Sequence, residues 1–369
     1  MKEYPEPLDL KKVRVYPLAE RQSLNSIERM LVNPEHLAGP CGPEALQTVR
    51  ECARKVAAAR QRGSSVILMY GAHLIKNGAM SIVIRLLEGG WITHVATNGA
   101  GTIHDWELSF FGRSEESVRK NVATGTFGTW NETGRNIHLA LLAGALRPEG
   151  YGRSLGRFIV EDGVTLPPAA ALEKALRDAP ADPLAPARAE LLQAMLVHKL
   201  PAGRSEVKHQ HKDTCILAQA FRQNIPFTAH PGIGYDIISN HPLFNGAAIG
   251  RAAAMDFALF GRAVDGLEGG VVLSVGSAIM APQVFEKSLS CVNNLRLQAG
   301  RKILQDHTIY VVDLQDGGNW DWTKGEPPKD NPAYYLRFCK SFSRMGGAMQ
   351  YVQCDNVRFL HNLLQELPA

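Results

Sequence analysis

Residues 65–102 read SVILMYGAHLIKNGAMSIVIRLLEGGWITHVATNGAGT, and this stretch decides the fold. Ser65 to Tyr70 is a short apolar run without polar alternation, the pattern of a strand buried on both faces. Gly71 breaks it. Ala79 to Leu87 has helical patterning and stops at Gly89-Gly90. Trp91 to Ala96 is a second buried strand, followed by a turn, Thr97-Asn98-Gly99-Ala100-Gly101-Thr102. Strand, glycine turn, helix, strand and glycine turn within about 35 residues make a βαβ unit, and such units make parallel sheets.

The neighbouring segments extend that reading. Pro43 to Arg62 is a predicted helix, with Pro43 at the first position, where its missing N–H costs nothing, and Gly63 as its stop. Residues 1–42 are an irregular lead-in arm. Residues 105–205 are mostly helical and contain the clearest linker, Ala179 to Pro186. Helices and strands then alternate again through 206–369, with strands at 225–229, 269–274 and 308–312. The expectation is an α/β, doubly wound, mostly parallel sheet. Its first βα block spans 43–104, a helical insertion 105–205, and the second block 206–369.

Composition narrows the function. The 369 residues carry 40 Lys+Arg against 36 Asp+Glu, a net charge of +4. That balance, with no basic block, argues against nucleic acid as a partner. No apolar run approaches the roughly 20 residues of a membrane span, and the first residues lack a secretory apolar core. A cytoplasmic protein with a small-molecule substrate is expected. The six cysteines form no CxxC and are far apart in sequence, so they read as buried or idle thiols.

In parallel α/β sheets, ligands bind at the carboxyl ends of the strands. Five loops there matter: Gly71–Gly78, Thr97–Glu107, His230 to His241, Ser274–Ala278 and Asp313–Gly318. Their glycines either bring backbone N–H groups to a phosphate or serve as turn residues. His73, His104, His230 and His241 fall on this rim, with Asp105, Glu107 and Asp236 beside them, a set suited to acid–base chemistry. His209 and His211, flanked by Lys208 and Lys212, read as solvated. No metal-binding spacing, nucleophile elbow or phosphate-loop lysine is present, and no metal is expected.

At these loops the chain resembles deoxyhypusine synthase. The Gly71–Gly78 loop is similar to that family's early NAD loop. Thr97, Gly101 and Asp105 match its Thr-Thr-Ala-Gly-Gly-x-Glu-Glu-Asp turn. Ile225-Pro226 resembles its Ile-Pro strand, Gly276 one glycine of its Leu-Gly-Gly-Gly run, and Asp355 the late acid near its adenosine. The resemblance implies a parallel NAD-binding sheet and a homo-oligomer, a tetramer or a dimer. Arg337 stands where the family's imine-forming lysine belongs, and Met280-Ala281 where its acid–base histidine does. Arginine stays protonated and cannot form an imine, which argues against deoxyhypusine synthesis.

The same turn is similar to the carboxy-terminal domain of ornithine- and lysine-degrading bifunctional proteins, whose Gly-Asn-Ala-x-Ala-x-His-Asp-x-Glu turn is matched by Ala100, His104, Asp105 and Glu107. Its Gly-Asn appears reversed, as Asn98-Gly99. This resemblance implies NAD-dependent deamination. The expected function is therefore an NAD-dependent enzyme acting on a C–N bond of a small amine or amino acid. His104 is the expected base, and Asp105 and Glu107 orient it or bind an ammonium group, unless they serve only as acids at a helix start. His230 and Asp236 face the substrate. Arg337 holds a carboxylate, unless it is a surface ion-pair residue, and Trp320 stacks on a ligand or lines an interface. Gly71, Ala72, His73, Asn98, Gly99, Gly101, Gly276, Ser277 and Asp355 hold the dinucleotide. The alternatives are a non-catalytic nucleotide-binding oligomer and a nucleotide- or sugar-directed hydrolase or transferase.

Overall fold

The computed structural model describes residues 4–368. Six strands form the central sheet: β1 (Val66–Tyr70), β2 (His94–Asn98), β3 (Phe227–His230), β4 (Gly270–Val275), β5 (His307–Asp313) and β6 (Ala348–Gln353). Every neighbouring pair is parallel. Their order across the sheet is β6-β5-β4-β1-β2-β3. Read from the far edge this is 3-2-1-4-5-6, the order of dinucleotide-binding sheets, and it reverses between β1 and β4.

The alternation of side chains along β1 explains the layering. Val66, Leu68 and Tyr70 join one core cluster, and Ile67 and Met69 join another on the opposite face. All five are fully buried, and each aliphatic side chain contributes roughly 1.5–3 kcal/mol on leaving water. In chain order the longer helices are α1 (Pro43–Gln61), α2 (Met80–Glu88), α3 (Gly99–Phe111), α4 (Asn131–Gly144), α5 (Tyr151–Val160), α6 (Ala169–Asp178), α7 (Ala185–Val197), α8 (Ile216–Arg222), α9 (Gly246–Asp265), α10 (Met280–Gln298), α11 (Arg337–Ser343) and α12 (Asn356–Glu366). Residues of α1, α2 and α12 pack on the first face, while residues of α9, α10 and α11 pack on the second. The sheet is thus wound on both faces, as expected.

The structure departs from expectation in several places. Thr97–Glu107 is not a loop: Thr97 and Asn98 finish β2, and Gly99 begins α3. The expected boundary after residue 104 therefore falls inside one helix. The Gly71–Gly78 loop contains a helical turn, His73–Lys76. Strand β6 and helix α5 had no counterpart in the sequence reading. The lead-in arm is not a loose segment, because Asn25–Ser26 pairs with Arg113–Ser114. No helix among the described residues is long and apolar enough to cross a membrane.

Candidate functional site

Because all six strands are parallel, their carboxyl ends share one rim. The loop after β1, helix α3 after β2 and the loop after β3 enclose a cavity of about 240 Å3 there. Lys76, His104, Glu107, Glu115, Tyr235 and Asp236 are among its lining residues.

Helix α3 sets the geometry. Asn98 caps it, its Oδ1 accepting from the Gly101 N–H at 2.9 Å. His104 and Glu107, three residues apart, lie on the same face of the helix. Asp105 lies on another. A Cβ on Gly99 would overlap the Asp236 carboxylate, and one on Gly101 would overlap the Thr97 hydroxyl. The two glycines are therefore consumed by packing inside the protein.

Glu107 is the electrostatic centre. It is buried and receives the Arg21 guanidinium at 2.6 Å, with both side chains almost fully shielded from water. Thr133 Oγ1 donates to its Oε1 at 2.8 Å and Ser114 Oγ to its Oε2 at 2.7 Å. Burial pushes the Glu107 pKa up, but the Arg21 charge and these hydrogen bonds outweigh it and hold the carboxyl below its ordinary value. The group stays ionised, as a buried acid with a paired cation and hydroxyl donors should.

That arrangement fixes the histidine. Ser114 Oγ has one proton and gives it to Glu107, so it accepts from His104 Nδ1, 2.6 Å away. Nδ1 therefore carries the hydrogen and Nε2 is left as the basic nitrogen. Burial lowers the His104 pKa, despite the opposing pull of Glu107. The ring is neutral at neutral pH, with Nε2 able to take a proton. Arg21–Glu107–Ser114–His104 is a continuous chain ending at the cavity.

Asp236 lines the same cavity as His104. Its Oδ2 accepts from the Gly232 N–H at 2.8 Å, and its Oδ1 is buried without a partner. Burial pushes its pKa up to about 6, partly offset by the hydrogen bond from the Gly232 N–H. Lys76 Nζ pairs with Glu115 Oε1 at 2.6 Å, and Asn25 Nδ2 donates to the other Glu115 oxygen at 2.5 Å. Glu115 is held at φ 68°, in the left-handed region, where a non-glycine residue is strained.

The structure does not bring the other expected residues to this cavity. Asp105 is buried on the far side of α3. It accepts from the Ile216 and Leu217 N–H groups at 3.2 and 2.8 Å and from Cys215 Sγ at 3.3 Å, so it caps α8. Burial pushes its pKa up to about 6. His230 ends β3, its Nε2 lying 3.3 Å from Thr228 Oγ1 and its ring edge-on to Phe260. His241 is turned inward, its Nδ1 accepting from the Leu243 N–H. His209, expected in solvent, is buried among Trp106, Phe110 and Phe158. The aromatic faces, invisible as neighbours in sequence, outweigh the flanking lysines. Arg337 is exposed at the start of α11. Trp320 lines a separate cavity of about 490 Å3 with Tyr351 and the first turn of α1.

The expected dinucleotide residues divide into two sets. Asn98, Gly99 and Gly101 are engaged at the start of α3, and Asp355 is the cap of α12, accepting from the Val357 and Arg358 N–H groups, both at 3.0 Å. Gly71, Ala72, His73, Gly276 and Ser277 lie where the strand order reverses. The Gly71 N–H donates to the Val275 carbonyl at 3.2 Å, and a Cβ on Gly71 would overlap the Gly276 carbonyl. The Asn356 side chain lies against Gly276, and its Oδ1 is buried and unpartnered. An unsatisfied acceptor at a strand-order reversal fits a hydroxyl-bearing ligand such as a nucleotide ribose.

Arg21, Ser114, Thr133 and Asn356 were not singled out in the sequence. For Arg21 and Ser114 no local signal existed. The three-residue spacing of His104 and Glu107 was readable once Gly99–Phe111 is taken as a helix.

No protein-family model matches the sequence, and no curated protein matches it. Solved structures do. Unliganded AgrE is similar at 14% identity and TM-score 0.45, over 90% of this chain and 34% of that one. AgrE has also been solved as a ternary complex with ornithine and NAD+. The chain spans about a third of the length of AgrE. A putative LOR/SDH protein from Methanococcus maripaludis S2 is similar at 14% identity and TM-score 0.42, over 96% and 74% of the two chains. A putative deoxyhypusine synthase from Entamoeba histolytica is similar at 10% identity and TM-score 0.36, over 82% and 75%. Both kinds of protein that the sequence resembles are therefore among the solved structures similar to this chain.

Proposed function

We propose that this chain is an NAD-dependent enzyme acting on the C–N bond of a small amine or amino acid, with His104 as its proton-transfer residue. The observation that carries this reading is the chain Arg21–Glu107–Ser114–His104, which presents a neutral imidazole, with Nε2 as its basic nitrogen, to a rim cavity. A nucleotide-binding protein without catalysis has no use for a buried ion pair that orients a histidine at a cavity.

Gly71, Ala72, His73, Gly276, Ser277 and Asn356 are the residues assigned to the dinucleotide. NAD, when bound, supplies the acceptor for the hydride leaving the carbon that bears nitrogen. The unpartnered Asp236 Oδ1 receives an ammonium N–H of the substrate, and His104 Nε2 takes the proton that must leave before the carbon can be oxidised. Lys76 and Glu115 hold the wall beside them. Arg337 and Trp320, on other parts of the rim, are not assigned to this substrate.

The first test is mass spectrometry of the small molecules released on denaturing freshly purified protein, together with the thermal shift on adding NAD or NADH. Near-stoichiometric NAD, or a clear shift, is expected. The absence of both would overturn the cofactor assignment. The second test is His104→Gln. Turnover of amines or amino acids should fall by roughly 10²–10⁴-fold while NAD affinity stays the same. A protein that holds NAD and oxidises no amine would be the binding oligomer instead, and cleavage of NAD would favour the hydrolase or transferase.

A further inference from the structure

Cys41 and Cys354 stand 313 positions apart, yet their sulfurs lie 3.3 Å from each other. Cys41 belongs to the lead-in arm, directly before the first turn of α1, and is half-buried. Cys354 directly follows β6 and is buried. Both are held in place. Asn362 Nδ2 donates to Cys41 Sγ at 3.3 Å and to the Gly39 carbonyl at 2.9 Å. The Cys354 N–H donates to the Asp313 carbonyl at 3.0 Å. The other four cysteines are not in such a pair: Cys52, Cys215 and Cys339 are buried and Cys291 is exposed.

We propose that Cys41 and Cys354 are a redox-active pair, which a hydroperoxide converts into an intramolecular disulfide tying the arm to the carboxyl end of β6. A disulfide needs the sulfurs at about 2.05 Å. The remaining approach of the sulfurs is about 1 Å. Burial pushes the Cys354 thiol up to about 12, and the neighbouring Cys41 adds to the rise. Cys41, the more exposed of the two, meets the oxidant first.

The chemistry balances in two steps. The Cys41 sulfur attacks one peroxide oxygen, the O–O bond breaks, and the departing oxygen leaves with the thiol proton as water or an alcohol. Cys41 is then a sulfenic acid. The Cys354 sulfur attacks the Cys41 sulfur, the S–O bond breaks, and hydroxide leaves with the Cys354 proton as water. Two thiols are oxidised and one peroxide is reduced.

The bond would act on the larger rim cavity. Gly42 and Pro43, beside Cys41, and Val352 and Gln353, beside Cys354, all line it. Oxidation would fix those two segments to each other, whereas the reduced pair leaves them joined only by packing and hydrogen bonds.

The test treats the reduced full-length protein with hydrogen peroxide, then maps its peptides without reductant. The expected result is a Cys41 peptide linked to a Cys354 peptide, an intact mass lower by two hydrogens, and reversal by dithiothreitol. The thermal midpoint of the oxidised protein should lie several degrees above that of the reduced one. In Cys354→Ser, Cys41 should stop at the sulfenic acid and react with a 1,3-dione probe, while Cys41→Ser should give neither product. The proposal is overturned if wild-type Cys41 and Cys354 both stay free. It is equally overturned if Cys41 runs on to the sulfinic acid, or pairs with Cys291 of another molecule. The wild-type measurement does not depend on either variant folding.

Discussion

At the scale of single residues, function rests on side chains that hold other side chains. His104 was visible as a candidate, but the groups that fix its tautomer were not. Ser114 opens a segment with helical patterning but carries no mark of a site residue, and Arg21 lies in an irregular arm 86 positions before its partner. Such partners are joined only by the fold, so no local pattern reports them. Ser114→Ala should leave His104 Nδ1 without its acceptor. Activity is expected to fall roughly 10–100-fold, as for other partners that orient a functional histidine, with KM little changed and the acid limb of the pH–rate profile displaced. A purely structural Ser114 would lower stability and leave that profile in place. Arg21→Met leaves the Glu107 charge buried without its cation, which costs about 3–5 kcal/mol. The double variant R21M/E107Q removes the orphaned charge and should regain much of that loss in a denaturant titration. If it is no more stable than R21M, the ion pair is not what the arm contributes.

At the scale of elements, the central strands were readable and the exceptions have physical causes. β1 and β4 are buried along their whole length, so their sequences are continuous apolar runs. β6 is an edge strand with exposed or half-buried Ala348, Gln350 and Gln353, and half-solvated edges lose the apolar signature. Helix α5 contains Gly152 and Gly156, residues that weaken the helical signal of a segment. They are small because the Phe227 and Leu217 carbonyls of neighbouring elements press against them. The same logic misplaced the start of α3, where Gly99 and Gly101 resemble a phosphate turn but accommodate Asp236 and Thr97. Gly99→Ala is therefore expected to destabilise the protein by about 1–3 kcal/mol, the usual cost of overpacking. In an Asp236→Ala background the same substitution should cost much less, because the overlapping carboxylate is gone. Additive costs in that double-mutant cycle would mean that the two groups do not meet.

At the scale of the whole molecule, the order of the strands was beyond the sequence even where the strands themselves were not. Alternating strands and helices imply a parallel sheet, but the reversal between β1 and β4 is a property of chain path. That reversal brings Asn356, from the last helix, against Gly276. Titration is another property of the whole. Burial lowers eight histidines, five of them furthest: His94 and His241 to about 3, and His138, His209 and His230 to about 4. Each folded value lies below the ordinary 6.5, so the stability tied to a neutral ring is present above pH 6.5. It is lost as pH falls through that window toward 4. Burial raises three carboxyls in the opposite sense, Asp105 and Asp236 to about 6 and Asp256 to about 7. Their stabilisation is complete below about 4 and is lost as pH rises through 6 to 7. Near pH 5.5 the unfolded chain binds a proton on each of the five histidines, while the folded chain binds one on most of the three acids. Roughly two net protons then favour unfolding, which corresponds to about 2–3 kcal/mol of stability lost per pH unit on acidification. Urea titrations between pH 7 and 5 should show the midpoint falling steadily, at a slope reduced by about one proton in His209→Phe, which replaces a buried imidazole with another ring in the same aromatic setting. A midpoint that stays flat or rises over that interval would mean that the buried acids, not the histidines, govern the acid response.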